Sequence, residues 1–381
     1  MSKIKLGDLC VPKKGQIKEE VDVIIDYIDI ASVDNESKKV TGFQTMSFGE
    51  APSRARKTVE KGDILISTVR PNLNAVAILE DDTPNISVAS TGFCILKCKD
   101  NVDNRFVFNF CKSKAFIKDM VSQATGASYP AVNDDIVRSA LIPNYSYEEQ
   151  CHISEILDRV SFTIEKRKVE LRALDELIKA RFVEMFGNEN NSKNWHIVNV
   201  EKVADVQVGV VIKPSQYYTD ESNGVRAFRS LNVGAGFIKD TAWVYFTEEG
   251  HHKNSKSILK ENDLLIVRSG APGTACVVTK EYAGYNAIDI IIVRPDCERV
   301  NPYYLCTFTN MPHGKKQIDE GTGGAAQQHF NVGKYSKLKL MLPPKKLQDD
   351  FANFIDQVDK SKVAVQKALD ETQMLFDSLM Q

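Results

Sequence analysis

The sequence has no excess of positive charge and no long apolar run. Its 49 lysines and arginines are balanced by 51 aspartates and glutamates, so the net charge is −2 over 381 residues. A nucleic-acid-binding domain is usually basic, so any basic face of this chain must be local. No apolar stretch approaches the ~18 residues of a membrane span, and no apolar signal region opens the chain. We therefore expect no membrane association.

Cysteine and histidine occur, but not in the spacings of disulfide scaffolds or metal sites. The eight cysteines are scattered without a CxxC pair, and the closest two are Cys94 and Cys98. This usage predicts a reducing compartment, the cytoplasm. His251 and His252 are adjacent and would point to different faces of any regular element. Because there is no His-x3-His spacing and no cluster of carboxylates, we expect no metal site.

Catalytic and nucleotide-binding motifs are also missing. Gly270-Ala-Pro-Gly-Thr274 lacks the Lys-Ser or Lys-Thr that completes a Walker loop. Asn301-Pro-Tyr-Tyr304 is similar to the Asn-Pro-Pro-Tyr signature of amino-methyltransferases, which places Asn and Tyr against a flipped base. Here, however, Pro302 is expected to open a helix, and no glycine-rich cofactor turn precedes it. We expect no catalytic residue in this chain.

What the sequence does contain is a long heptad pattern between Ser146 and Gly187. Ser146 and Glu149 have the spacing of a capping box, and Gly187 supplies a stop. About forty residues without proline or glycine lie between them, which predicts a straight helix of ~60 Å. Apolar residues recur in this segment at steps of four and three, which is a heptad pattern interrupted only by Arg167 and Arg181. They are Ile153, Leu157, Val160, Ile164, Leu171, Leu174, Ile178 and Met185.

The same pattern returns at the C-terminus when 198 is added to each position. The apolar residues of this second set are Phe351, Ile355, Val358, Val365, Leu369, Phe376 and Leu379. We call the two sets together the seam. At three equivalent positions, a polar residue in one set corresponds to an apolar residue in the other. These pairs are Arg167 with Val365, Lys362 with Ile164, and Arg181 with Leu379. Two helices with one 3.5-residue period most simply pair as a coiled coil. Packing on separate cores is the alternative.

Shorter motifs repeat with a period near 200 residues. Lys61-Gly-Asp-Ile-Leu-Ile66 recurs as Glu261-Asn-Asp-Leu-Leu-Ile266, and Leu141-Ile-Pro143 recurs as Met341-Leu-Pro343 before each long helix. This period predicts a duplicated unit of one domain followed by one helix. The departure at Glu261-Asn262 leaves the geometry of the second turn open.

Each globular part is predicted to consist mostly of short strands, followed by one helix. The predicted strands are 23–30, 64–69, 75–79, 92–96, 264–267, 275–278 and 288–293. The predicted helices lie near 104–121 and 302–318. We therefore expect an α+β chain with mixed α/β, strand-rich domains at 1–145 and 196–343, long helices at 146–187 and 344–381, and a polar linker at 188–195.

Polar and basic side chains follow equivalent strands in both halves. Arginine and glutamine make bidentate contacts with guanine and adenine edges, and lysine suits phosphate contact. Any single residue of this kind is more simply a solvated surface charge, but the paired occurrence favours DNA contact. The candidates are Lys13, Lys14, Arg54, Arg56, Lys57, Ser67, Thr68, Arg70, Thr125, Ser128, Tyr129, Lys213, Arg226, Arg229, Arg268, Ser269, Lys315, Lys316, Gln327, Gln328 and His329.

With these motifs in their order and spacing, the whole chain resembles the specificity subunits of type I restriction–modification systems. The resemblance rests on Lys5-Leu-Gly-Asp-Leu9, the motif 61–66, the Thr125-Gly segment, 141–143 before a helix starting near Glu148, and their near-repeat. It implies two homologous target recognition domains, separated by an antiparallel pair of helices with pseudo-twofold symmetry. Each domain would then read one half of an asymmetric, two-part DNA target, with the helices setting the spacer and docking methyltransferase subunits.

The resemblance also implies partners and excludes cofactors on this chain. The expected partners are double-stranded DNA, two modification (methyltransferase) subunits and two ATP-dependent restriction subunits. S-adenosylmethionine, ATP and Mg would bind those partners, so we expect none on this chain. Two alternatives stay open: a non-catalytic fragment of a single-chain restriction–methylation enzyme, and a duplicated adaptor that binds protein or glycan.

Overall fold

The computed structural model of the chain describes residues 2–12, 17, 23–126, 128–322 and 330–379, without the side chains of 321 and 322. It divides into two compact units: unit 1 comprises residues 1–168 and 367–381, and unit 2 comprises residues 169–366. This division cuts both long helices, so each unit contains one domain and a part of each helix. The predicted domain limits at 145, 196 and 343 stay a prediction.

In the first half of the chain, short strands come first and helices follow. The strands are β1 (Lys3–Lys5), β2 (Ile24–Ile28), β3 (Val33–Asp34), β4 (Lys39–Val40), β5 (Gln44–Ser47), β6 (Ala55–Thr58), β7 (Ile64–Ser67), β8 (Val76–Ile78), β9 (Ile86–Ser90), β10 (Phe93–Leu96) and β11 (Leu141–Pro143). The helices are α1 (Asn104–Lys112), α2 (Lys114–Gln123), α3 (Asp134–Ser139) and the long α4 (Tyr147–Phe186).

The second half repeats this order. Its strands are β12 (Ile197–Asn199), β13 (Ala204–Val208), β14 (Tyr218–Thr219), β15 (Val225–Phe228), β16 (Val244–Phe246), β17 (Leu264–Val267), β18 (Ala275–Val277), β19 (Asn286–Ala287), β20 (Ile290–Pro295) and β21 (Lys339–Met341). Its helices are α5 (Glu248–Lys253), α6 (Pro302–Asn310), α7 (Pro312–Thr322), α8 (Val332–Ser336) and the long α9 (Lys345–Leu379). The predicted fold class, with strand-rich mixed domains and two long helices, is confirmed.

The sheets of unit 1 place strand β7 between two cores. One sheet has the order β10-β7-β8-β4-β3, and a second has the order β5-β2-β9-β6. Successive side chains of a strand point to opposite faces. Ile64 and Ile66 therefore pack with helices α1 to α3, whereas Leu65 packs into the core on the opposite face. Burial on both faces explains why this strand has a continuous apolar sequence.

Unit 2 builds the same arrangement around β17. Its sheets have the orders β13-β20-β17-β18 and β14-β16-β15-β19. Leu264 and Ile266 face the core that contains helix α6, and Leu265 and Val267 face the other core. In each unit a short antiparallel pair, β1 with β11 or β12 with β21, joins the start of the domain to the strand before the long helix.

The turn before β7 has the same geometry as the turn before β17. Gly62 has φ 87° and Asn262 has φ 72°, so both are left-handed. Asparagine is the residue that most readily replaces glycine in this conformation. In each turn an aspartate carboxylate accepts a backbone N–H three residues earlier, at 2.9 Å for Asp63 and 2.8 Å for Asp263. The sequence difference therefore leaves the turn unchanged.

The predicted single helix after the strands is wrong in both halves, because each is two helices. In the first half the break falls at Ser113, which is buried and accepts the Phe116 N–H at 3.1 Å. In the second half Pro312 opens a new helix. Proline has no N–H and its ring clashes with the preceding turn, so it cannot continue helix α6.

The two long helices pair in antiparallel fashion along the seam, as predicted. Within unit 2, the Lys362 ammonium lies 2.6 Å from the Asp175 carboxylate. Further along α4, the rings of Phe182 and Phe351 lie 5.4 Å apart. Residues later in α4 therefore contact residues earlier in α9, as antiparallel helices do. Within unit 1, the Arg167 guanidinium donates to the Ala368 carbonyl and the Thr372 hydroxyl of α9, which gives this polar seam residue a structural role.

Burial follows the predicted seam with one exception. Leu157, Ile164, Phe351, Ile355 and Val358 are buried. The remaining apolar seam residues are half-buried except Leu379, which is 44% exposed and was wrongly assigned to the seam. Two fully buried rings that the pattern missed, Phe182 and Phe186, join the core of unit 2.

A buried glutamine connects each long helix to its own domain. In unit 1, the Gln150 side chain accepts the Asp103 N–H at 3.0 Å and donates to the Tyr145 carbonyl at 2.9 Å. In unit 2, 198 residues on, the Gln348 side chain accepts the Asn301 N–H at 2.8 Å and donates to the Pro343 carbonyl at 2.8 Å. Asp103 and Asn301 are the N-caps of α1 and α6. Each glutamine therefore joins the start of a long helix to the start of a domain helix.

We predict that Gln348→Ala lowers the free energy of unfolding by about 2 kcal/mol or more. The substitution leaves a buried N–H and a carbonyl without their partner, and each unsatisfied group costs about 1–3 kcal/mol. Urea unfolding followed by circular dichroism measures the change. Gln357→Ala, on an exposed position of the same helix, is the control. Equal midpoints for the two variants would refute a structural role for Gln348.

Lys112 supplies a pH-dependent test of how α9 packs in unit 1. Its ammonium lies 4.5 Å from the ring centre of Phe108 on α1 and 5.6 Å from that of Phe376 on α9. Burial lowers the pKa of Lys112 to about 8. The charged form is therefore penalised in the folded state below pH 8, and the penalty is lost as the pH rises toward 10.5.

We predict that Lys112→Met stabilises the protein at pH 7 by about 1–2 kcal/mol, because it removes a poorly solvated charge. The gain should shrink between pH 8 and 10.5. Thermal unfolding of both proteins across this range measures the difference. A gain that stays constant with pH would show that Lys112 is not desolvated.

Candidate nucleic-acid interface

The predicted DNA-contact residues separate into three groups according to their surroundings. Five of them lie outside the described residues: Lys13, Lys14, Gln327, Gln328 and His329. The others either hold the protein's own backbone and carboxylates, or lie exposed at the ends of strands.

Ser67, Thr68 and Lys57 hold the domain together instead of facing solvent. Ser67 and Thr68 are 5% and 6% exposed. Their hydroxyls donate to the Val69 and Gly92 carbonyls, each at 2.9 Å. The Lys57 ammonium lies 2.8 Å from the Asp134 carboxylate. These contacts position the loops after β7 and β9, and DNA contact by the three residues stays a prediction.

Arg54 and Arg56 are also engaged, although less deeply. The Arg54 guanidinium lies 2.8 Å from the Asp29 carboxylate and is 57% exposed. Arg56 lies over the Phe48 ring at 5.2 Å and donates to a backbone carbonyl at 3.0 Å. An exposed ion pair is weak, so Arg54 can still exchange Asp29 for a phosphate.

The arginines of unit 2 are paired with carboxylates and carbonyls. Arg226 lies 3.6 Å from the Asp240 carboxylate and 5.5 Å from the ring centre of Trp243. Arg229 donates to the Ala242 carbonyl. Arg268 is 16% exposed and pairs with the Asp289 carboxylate. It also donates to the Phe330 carbonyl at 3.2 Å. Arg226 lies within β15, Arg229 directly follows it, and Arg268 directly follows β17. The sequence did not show the partners of these residues, which are distant in the chain.

Four predicted residues of unit 1 come together at one exposed edge, which we call the unit 1 rim: Arg70, Thr125, Ser128 and Tyr129. Thr125 exchanges two backbone hydrogen bonds of 2.9 Å with Ala131, which closes the loop that carries Ser128 and Tyr129. Tyr129 is 67% exposed, and the Arg70 guanidinium lies 4.6 Å from its ring centre. A cation stacked on an exposed aromatic ring is suited to contact with nucleic-acid bases.

The 3₁₀ turn that follows Arg70, at Pro71–Leu73, adds residues that the sequence analysis missed. Asn72 is exposed, and Leu73 is 48% exposed. An asparagine amide can pair with adenine, and an apolar side chain can contact a thymine methyl. The signal was the polar turn directly after a fully buried strand.

In unit 2, the exposed candidates among the described residues are lysines. Lys213 and Lys316 are exposed, and neither forms an ion pair with another described residue. Lys315 is half-buried and donates to the Pro272 carbonyl at 3.4 Å, and Ser269 is half-buried and already has a polar partner. The described part of unit 2 therefore presents exposed lysines that suit phosphates, whereas its arginine over a ring, Arg226, already pairs with Asp240.

In the part of the chain that the structure describes, no group of three or more His, Cys, Asp or Glu side chains has the geometry of a metal site. All eight cysteines, each of them described, are free thiols. No described helix is both long and apolar enough to cross a membrane.

Comparisons with known proteins agree on one family. The sequence model described as the type I restriction modification DNA specificity domain matches residues 1–173 and 192–372. The type I restriction enzyme MjaVIII specificity subunit of Methanocaldococcus jannaschii is 24% identical over 70% of this chain and 68% of its own length. The MjaIX specificity subunit of the same organism is 20% identical over 84% of this chain and 76% of its own length.

A solved structure shows the same fold. That structure is described as showing the structural basis of complex assembly and conformational transition of the type I R-M system. Its matching chain superposes on this one with a TM-score of 0.65 at 21% identity. The match covers 100% of this chain and 96% of that one.

The contrast between Arg268 and Lys213 is testable. We predict that Arg268→Met lowers the free energy of unfolding by about 1–3 kcal/mol, because it leaves the Phe330 carbonyl and the Asp289 carboxylate without their donor. Lys213→Met, at an exposed position, should leave stability unchanged. Urea unfolding of the two variants decides, and equal stabilities would overturn the assignment of Arg268 as structural.

Proposed function

This chain belongs to the type I restriction modification DNA specificity family, and from that premise we propose that it is the subunit that reads the DNA target. The observation that carries the proposal is the duplication of one scaffold with two different surfaces. The left-handed turns at 62 and 262 and the buried glutamines at 150 and 348 repeat closely. The exposed side chains that follow the equivalent strands do not.

Two scaffolds of one design, with different exposed residues, suit a target whose two halves differ in sequence. We propose that the domain of unit 1 reads one half and the domain of unit 2 reads the other. The antiparallel helices would set the unread spacer between the halves. Twofold DNA readers place half-sites about one helical turn apart, so a spacing of about ten base pairs is expected.

The charge distribution supports a division of labour between this chain and its partners. The net charge is −2, and arginines 54, 226 and 268 already face carboxylates. Affinity for DNA rests largely on phosphate neutralisation. We therefore propose that partner subunits supply much of the phosphate contact, while this chain supplies sequence discrimination.

The outer faces of the long helices suit subunit docking. Phe162 on α4 is 62% exposed, and Val363 and Met374 on α9 are 70% and 64% exposed. Apolar side chains exposed on a helix mark a protein contact when they are numerous. We propose that these faces bind two modification (methyltransferase) subunits, and that two restriction subunits join the complex in the cytoplasm. S-adenosylmethionine, ATP and Mg would bind to those partners.

Sequencing of DNA methylation, in cells with and without this gene, tests the proposal. We predict a two-part methylated motif with an internal spacer that is present only with the gene. Replacing residues 196–343 by those of a relative should change one half of the motif and leave the other half unchanged.

Two outcomes would contradict the proposal. If both halves of the motif change together, the domains do not read separate half-sites. If the purified chain with its methyltransferase partners binds no DNA, or binds it without dependence on salt, the adaptor alternative is favoured, because phosphate contacts make DNA binding salt-dependent.

A further inference from the structure

The backbone of Arg70 has a conformation that arginine disfavours. Its φ is 51°, in the left-handed region. The corresponding residue of the second half is Gly270, with φ 86°. The two positions correspond because each follows the equivalent strand by three residues. In each half, the carbonyl two residues before this position accepts a backbone N–H from a distant loop. Thr68 accepts from Val132 at 2.9 Å, and Arg268 accepts from Phe330 at 3.0 Å.

This difference indicates that the Arg70 side chain has a use outside the fold. A side chain with a Cβ atom is strained in the left-handed region, whereas glycine is not. The second half shows that glycine serves this turn. Residues in strained backbone conformations persist where the surrounding structure holds them, and they cluster at functional sites.

The surroundings of Arg70 support this interpretation. Its side chain is exposed and stacks on Tyr129, and no described residue accepts a hydrogen bond from its guanidinium. The other predicted arginines all have acceptors: Arg54, Arg56, Arg226, Arg229 and Arg268. The N–H groups on the outward edge of the Arg70 guanidinium are therefore available to donate to a ligand.

The backbone around the stacked pair is fixed. The Arg70 N–H donates to the Pro130 carbonyl at 2.7 Å, and the Arg70 carbonyl accepts the Leu73 N–H at 2.9 Å. Gly126 has φ 99°, and a Cβ at this position would lie 2.8 Å from the Tyr129 carbonyl oxygen. Only glycine therefore fits the turn that presents Tyr129. The backbone that carries both side chains is therefore fixed, and the Arg70 guanidinium lies over the Tyr129 ring.

We propose that Arg70 reads a guanine in the half-site of unit 1, and that Tyr129 positions it. The planar guanidinium would donate two parallel hydrogen bonds to O6 and N7 of the guanine, in the major groove. Stacking on Tyr129 fixes the plane of the donors, which a bidentate base contact requires and a simple phosphate contact does not. This inference rests on the proposed function and names the base that the rim recognises.

The test uses the complete complex with its methyltransferase partners and a library of DNA in which each half-site is randomised in turn. Arg70→Gly copies the second half and should fold with equal or higher Tm. We expect it to methylate DNA but to lose preference for one guanine by about 5- to 150-fold, the range for one bidentate pair. Arg70→Met should lose this preference as well, because methionine keeps an unbranched chain but has no N–H donors for O6 and N7.

A control and a positioning variant accompany these. Lys39→Gln removes an exposed charge of unit 1 outside the rim, and it should leave the motif unchanged. Tyr129→Ala should weaken the guanine preference while Tyr129→Phe retains it, since both rings can stack on the guanidinium.

Three results would overturn the inference. The first is a uniform loss of methylation by Arg70→Gly with an unchanged motif, which indicates a phosphate contact. The second is a full guanine preference in Arg70→Met, and the third is a wild-type half-site without guanine. Failure of this inference can be distinguished from failure of the proposed function. If the proposed function is wrong, the wild-type complex itself methylates DNA without a two-part motif.

Discussion

The architecture depends on how each long helix is fixed to its own domain. In each unit a glutamine that is almost completely removed from solvent bridges the N-cap of a domain helix and the carbonyl at the entry to the long helix. Because a buried amide needs all of its partners, this bridge tolerates little change in geometry. The repetition of the bridge 198 residues later gives both helices the same start relative to their domains.

The seam adds a second constraint. Apolar side chains at steps of three and four bring the helices together, and two polar residues within the seam, Arg167 and Lys362, have partners across it. In unit 1 Arg167 donates to α9, and in unit 2 Lys362 pairs with Asp175. These contacts favour one antiparallel register, since a shifted pairing would remove the α9 acceptors of the Arg167 guanidinium. A chain built in this way holds two related domains that share the strands β7 and β17 and the glutamine bridges but differ in their remaining strands and loops.

The parts of the structure that follow from local chemistry were predictable from the sequence. The capping box at Ser146 forms with Glu149, whose carboxylate accepts the Ser146 N–H at 2.8 Å. Gly187 ends α4 in a left-handed conformation. The buried strands β7 and β17 lie where continuous apolar runs predicted them. Each of these features depends on residues within a few positions of one another.

The parts that depend on distant partners were not predictable. The sequence did not show that Arg268 pairs with Asp289 or that Lys57 pairs with Asp134, so it counted these paired cations among the DNA-contact candidates. It extended the seam to Leu379, because the heptad pattern does not show where packing ends. The importance of Arg70 emerged only when its backbone was compared with Gly270.

The central claim is that two domains read two halves of one target across a spacer of fixed length. The most direct measurement is binding of the assembled complex to DNA duplexes that carry the methylated motif with changed parts. We predict that scrambling either half weakens binding, that scrambling the spacer sequence does not, and that lengthening the spacer by five base pairs, about half a helical turn, abolishes specific binding. Binding that depends on one half alone, or that ignores the length of the spacer, would contradict the account.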